Sequence, residues 1–138
     1  MIESPNDHIE EGVKPLCEAL NSYEGIQTHF SCEGHPERNK YRGYVSFTAE
    51  SDKGFADVLN KMPQCKKTNW IANGEEHSIW CRIEAGILQG EISYSVRFGG
   101  RPACCLRLIR EQVAQILNGE RRLIRTETID KYRKNNGE

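Results

Sequence analysis

The stretch SIWCRIEAGILQGEISYSVRF, residues 78–98, decides the fold. Ile79, Cys81, Ile83 and Ala85 alternate with Trp80, Arg82 and Glu84, and Ile92, Tyr94, Val96 and Phe98 alternate with Ser93, Ser95 and Arg97. A period of two predicts strands with one apolar face each, over 78–85 and 91–98. The short glycine-containing GILQG between them predicts a hairpin. Two earlier segments have the same pattern. In 26–31, Ile26, Thr28 and Phe30 alternate with Gln27, His29 and Ser31; in 43–49, Val45, Phe47 and Ala49 alternate with Tyr44, Ser46 and Thr48.

Outward from these strands the period changes to that of helices. Ile9, Val13, Leu16 or Cys17, and Leu20 form a stripe that starts near Ser4-Pro5, is kinked or split at Pro15 and ends over Asn21–Gly25. A Ser51-Asp52 cap opens a second helix to about Met62, with Phe55, Val58, Leu59 and Met62 on one face and Pro63 as its stop. A polar loop with an Asn73-Gly74 turn follows. A third helix is predicted over Pro102–Asn118, with the stripe Leu106, Ile109, Val113, Ile116 and Leu117 and Gly119 as its C-terminal signal. The order αββαββα implies an α+β fold: a four-stranded, largely antiparallel sheet with helices on one face.

Its 138 residues suffice for one domain, 1–138, with 119–138 as a charged C-terminal extension. No apolar run approaches the roughly 20 residues that span a bilayer. The start MIESPNDHIEE is acidic and polar, unlike a signal peptide, so a soluble cytoplasmic protein with no membrane partner is expected. Six cysteines (17, 32, 65, 81, 104, 105) form no CxxC, so reduced, mostly buried thiols are expected rather than a zinc ribbon or a disulfide framework. The net charge of −1 hides a polarity. Residues 1–37 carry eight acids against Lys14 alone, whereas 97–134 carry ten bases against four acids. Either the basic half meets an acidic partner, or the two ends neutralise each other within the fold.

Two motifs carry candidate chemistry. In FSCEGHP, 30–36, Cys32, Glu33 and His35 surround Gly34, with His29 upstream. A thiolate beside an imidazole is a nucleophile pair, which makes Cys32, Glu33 and His35 the catalytic candidates. The plainer reading is a turn in which Gly34 supplies positive φ and Pro36 fixes the exit. Strand parity turns Cys32 into the core and His29 and Ser31 outward. No metal site is expected, because His29 and Cys32 diverge and His8 and His77 stand isolated. The second motif, RFGGRPACC, 97–105, places Arg97 and Arg101 around two glycines ahead of a helix, a connection suited to an anion. Parity also gathers His29, Ser31, Tyr44, Trp80, Arg82 and Arg97 on one sheet face. Aromatics among arginines and hydroxyls stack bases or grip a protein partner, and these residues with Arg101 are the binding candidates.

The segment IEEGVKPLCEALNSYEGIQTHFSCEGH with the following strand GYVSF resembles the wybutosine-synthesising tRNA methyltransferase family over residues 9–49. Ser31, Cys32 and Gly34 match that family's Ser-Cys-Ser-Gly-Arg motif, while Glu33 replaces the second Ser and His35 the Arg. The resemblance implies a similar α+β core and a site at the SCEGH loop. It also implies, as one alternative, an S-adenosylmethionine-dependent RNA-modifying enzyme whose site joins that loop to the Gly-Arg segment. Short proteins with an SCEGH segment also resemble products of bacterial plasmids and phages, which implies an accessory, counter-defence role. The leading expectation is a small binding or inhibitory accessory protein without a cofactor. It would engage a nucleic-acid-processing or defence complex, or nucleic acid itself, through the sheet face and the basic C-terminal half.

Overall fold

A computed structural model describes residues 10–35, 41–62 and 67–119. The expected helix start at Ser4-Pro5, the stops at Pro36 and Pro63, His8, Cys65 and the basic extension from 120 lie outside the described residues.

Among the described residues the sheet has five antiparallel strands, not four. They are β1 (Ile26–Cys32), β2 (Arg42–Ala49), β3 (Thr68–Ala72), β4 (Glu75–Leu88) and β5 (Glu91–Arg101), in the spatial order β1-β2-β5-β4-β3. The added strand is β3, in the segment expected to be a polar loop. Its inward residues Trp70 and Ala72 are buried, and Asn73-Gly74 turns it into β4 with both φ angles positive, 54° and 76°. The β4–β5 hairpin is longer than expected: GILQG is largely strand, and only Gln89 and Gly90, with φ of 52° and 82°, form the turn. Positive φ at both central positions matches the twist of the flanking strands.

Among the described residues three helices cover one face: α1 (Lys14–Asn21), α2 (Asp52–Lys61) and α3 (Ala103–Leu117). Pro15 does split the first helix. A 3-10 turn over Glu11–Val13 precedes α1, and the proline sits in the first turn of α1, where a missing N–H costs nothing. Ser51 caps α2 by accepting a hydrogen bond from Gly54 N at 3.1 Å. Of the expected α2 face, Val58 and Met62 are buried and Phe55 stacks on Tyr94 at 4.2 Å, but Leu59 is exposed. All five residues of the α3 stripe are buried. Beneath the helices lie Val45, Phe47, Ile79, Val96 and Phe98, all inaccessible to solvent.

Close approach between layers depends on two glycines. A Cβ at Gly100 would lie 2.4 Å from the Cys105 carbonyl carbon, and one at Gly54 would lie 1.8 Å from the Glu24 carbonyl oxygen. The first contact seats the start of α3 directly on β5. Among the described residues no helix is long and apolar enough to cross a membrane.

Candidate functional site on the open sheet face

The sheet face opposite the helices has an alternating register that is fixed across β2, β5 and β4. Tyr44 pairs with Arg97, Arg97 with Arg82, Glu84 with Ser95, and Trp80 with Gly99. Each of these side chains therefore points away from the core. Trp80 lies flat because Gly99 has no side chain: a Cβ there would fall 2.4 Å from the indole. The guanidinium of Arg82 sits 4.9 Å from the Trp80 ring centre, Arg97 sits 5.3 Å from Tyr44, and Arg101 sits 5.4 Å from Tyr41. Such pairs gain from the ring quadrupole.

Glu84 organises the two central arginines. Its Oε1 accepts from Arg82 Nε at 2.7 Å, and its Oε2 lies 2.7 Å from Arg97 Nε. Exposed ion pairs of this kind contribute at most about 1 kcal/mol each, so their effect is orientation rather than stability. One carboxylate against two guanidiniums leaves a net positive charge at the centre of the face. Two shallow hollows flank it. One is lined by Phe30, Tyr44, Ser46, Glu84 and Arg97, the other by Tyr41, Asn69, Ser78, Trp80 and Arg101.

The structure brings Tyr44, Trp80, Arg82 and Arg97 to this face, as parity predicts, and adds Arg101, expected in a connection before α3 but instead paired with Ser78. His29 also lies on it, with Nε2 2.7 Å from Thr48 Oγ1. Ser31 does not. The β1–β2 register shifts between Thr28 and Ser31, so two residues, His29 and Phe30, oppose Ser46 alone. Such a bulge puts consecutive side chains on one face and reverses parity beyond it. Phe30, expected in the core, is 45 % exposed and lines the first hollow. Ser31 pairs with Val45 and turns toward the helices, where its hydroxyl hydrogen-bonds the Cys17 thiol. Burial pushes that thiol up to about 11, with the Glu18 charge adding to the rise and the Ser31 bond opposing it. Cys32, expected in the core, pairs with Tyr44 and is half-buried. Tyr41, Asn69 and Ser78 were not anticipated: Tyr41 precedes its strand, and Asn69 belongs to the unrecognised β3.

The SCEGH loop is tied down on every side. Gly34 has φ of 93°, and a Cβ on it would lie 2.6 Å from Leu106 Cδ2 and 3.0 Å from the Arg42 carbonyl oxygen, so only glycine fits. Glu33 Oε2 accepts from Gly12 N at 2.6 Å, its backbone N donates to Glu10 Oε1 at 3.2 Å, and its carbonyl accepts from Arg110 Nη1 at 2.9 Å. His35 Nε2 lies 3.2 Å from Glu10 Oε2. Glu33 is thus a structural anchor for the 3-10 turn. Through its bond to the Glu33 carbonyl, Arg110 of α3 reaches the loop. Cys32, Glu10 and His35 offer ligand or nucleophile atoms within 4.8 Å of one another. The expected partner of this loop is elsewhere. Residues 97–101 are the end of β5, not a connection, and β2 separates them from β1. The SCEGH and Gly-Arg segments therefore do not form one site.

Compared with protein-family models, with curated proteins and with solved structures, the chain matches none.

Proposed function

We propose that this chain is a binding protein that takes single-stranded nucleic acid on its open sheet face, as an accessory factor to a nucleic-acid-processing or defence complex. The observation that carries this reading is the set of three arginine–aromatic pairs on one face that no described element covers, Arg82–Trp80, Arg97–Tyr44 and Arg101–Tyr41. Rings and guanidinium planes stack bases, and the same guanidiniums reach phosphates. Five strands about 4.8 Å apart span about 19 Å, room for two or three splayed bases. Among the described residues the face is open and carries two hollows in place of one enclosed cavity, which suits an extended chain better than a small substrate.

The test is a fluorescence-anisotropy titration with labelled single-stranded and duplex oligonucleotides over a range of salt. Three phosphate contacts predict that log K falls with log salt at a slope of about −2 or steeper, with the single strand preferred. Absence of binding at low salt, or binding indifferent to salt, contradicts the reading.

A second reading, an RNA-modifying enzyme dependent on S-adenosylmethionine, is favoured only by the Cys32–His35–Glu10 cluster. Calorimetric binding of S-adenosylmethionine that is lost in Cys32→Ser supports it; no heat of binding removes it.

A further inference from the structure

On the covered face, the fold assembles a group that sequence spacing hides. His77 stands alone in the sequence, 27 residues before Cys104. In the structure a ring nitrogen of His77 and the sulfurs of Cys104 and Cys105 lie within 4.8 Å of one another. We propose that His77, Cys104 and Cys105 bind a zinc ion that fastens the β3–β4 edge of the sheet to the first turn of α3. This inference is independent of the nucleic-acid reading.

Histidine is a costly core residue unless its nitrogens are used. His77 is only 4 % exposed, faces the core side with Trp70, and stacks on that indole at 5.6 Å. Its Nδ1 lies 3.0 Å from the Glu75 carbonyl oxygen. A carbonyl only accepts, so Nδ1 carries the proton and the neutral ring's lone pair is on Nε2. A backbone carbonyl on one ring nitrogen is the usual way a metal-binding imidazole is held in its tautomer and orientation. Nε2 is accordingly the proposed ligand atom.

The two cysteines occupy the first turn of α3. Their placement depends on Gly100. No side chain other than hydrogen at that position lets the Cys105 backbone approach β5 so closely. Zn–S bonds of about 2.3 Å and a Zn–N bond of about 2.0 Å put tetrahedral donors about 3.5–3.8 Å apart, so closure asks for a contraction of about 1 Å. Two thiolates and one neutral imidazole are borderline-soft donors suited to zinc. With Zn²⁺ they form a neutral unit, which removes the main penalty for burying an ion here. The described residues supply three of the four ligands of a tetrahedral site. The Glu10–Cys32–His35 group is the natural internal control. It has one thiol in place of two, beside a carboxylate and an imidazole.

The full chain is loaded with zinc, dialysed, and assayed for metal content. A Co²⁺-loaded sample is read for the thiolate-to-cobalt charge-transfer band. The site predicts one zinc per chain and a charge-transfer band, both lost in His77→Asn, Cys104→Ser and Cys105→Ser and both kept in Cys32→Ser and His35→Asn. Because a core variant can fail to fold, the unaltered chain is also alkylated with iodoacetamide with and without a chelator, and each cysteine is followed by peptide mass. Cys104 is exposed, so its modification should speed up roughly tenfold or more once zinc is removed, with Cys32 unchanged. Three results overturn the site: no stoichiometric zinc, zinc lost in Cys32→Ser but kept in Cys104→Ser, or a Cys104 alkylation rate indifferent to the chelator.

Discussion

The two faces of this sheet use the same strands for opposite purposes. On the covered face, side chains are chosen for fit: Phe47, Phe98, Val45 and Val96 fill the space beneath α3, and glycine at 100 lets the helix touch the strand. On the open face the neighbouring positions carry Tyr44, Trp80, Arg82, Glu84 and Arg97, held by charge and ring contacts in water. Gly99 and Gly100 express the difference within one dipeptide. Gly99 makes room for an indole on the open face, and Gly100 makes room for a helix backbone on the covered one. Stability should therefore be concentrated on one face and recognition on the other, and substitutions should separate them.

The largest effect is expected on the covered face. Gly100→Ala forces a methyl group to within 2.4 Å of the Cys105 backbone, which cannot rotate away. A loss of about 3 kcal/mol or more in chemical denaturation is expected, at the upper end of overpacking effects. A change below about 1 kcal/mol would mean that α3 does not sit so close.

Trp80→Ala is the counterpart on the open face. It should weaken single-strand binding by about 1–3 kcal/mol, a roughly five- to 150-fold rise in Kd, while the unfolding midpoint moves little. Unchanged affinity would break the assignment of recognition to this face.

Cys17 gives a smaller, pH-dependent effect. Burial holds its folded-state thiol near 11 rather than at its ordinary 9.0. Below pH 9 the thiol is neutral in both states and its contribution is fully present. Above that value the unfolded chain ionises first, so stability falls as pH rises from about 9 to about 11. Relative to Cys17→Ala, the unaltered chain should lose up to about 2 kcal/mol across that window in pH-dependent denaturation. Parallel curves for the two chains would contradict the burial of this thiol.

The smallest effect sharpens the electrostatics. Glu84→Gln removes the carboxylate shared by Arg82 and Arg97. Stability should change by less than about 1 kcal/mol, because both ion pairs are exposed. Single-strand affinity should rise modestly, since both guanidiniums are released and a charge that repels phosphate is gone. A fall in affinity would show that Glu84 contributes mainly by holding the arginines in place.

Strand pattern made the open face legible because β4 and β5 are long and unbroken. Trp80, Arg82 and Arg97 keep their parity from end to end, and the register confirms it. The same rule misled at β1, where the bulge before Ser31 exchanges the faces of Phe30, Ser31 and Cys32. A bulge adds one residue without a composition signal, so the alternation ITF against QHS read as regular. β3 escaped notice because it is five residues long and only Trp70 and Ala72 mark its inner face. Gly34 and the Ser51 cap were readable because positive φ and helix capping are local demands. The roles of Glu33 and His77 were not, because Gly12, Arg110, Cys104 and Cys105 reach them only through the tertiary fold.

The most direct test of the division between faces is a two-dimensional amide NMR titration of the full chain with a short single-stranded oligonucleotide. The account predicts that perturbed resonances map to Tyr44, Ser46, Trp80, Arg82, Glu84, Ser95 and Arg97, with α1, α2 and the inward residues of α3 unmoved. Perturbations centred on Glu33, Gly34 and His35, or spread over the helices while the open face stays silent, would contradict it.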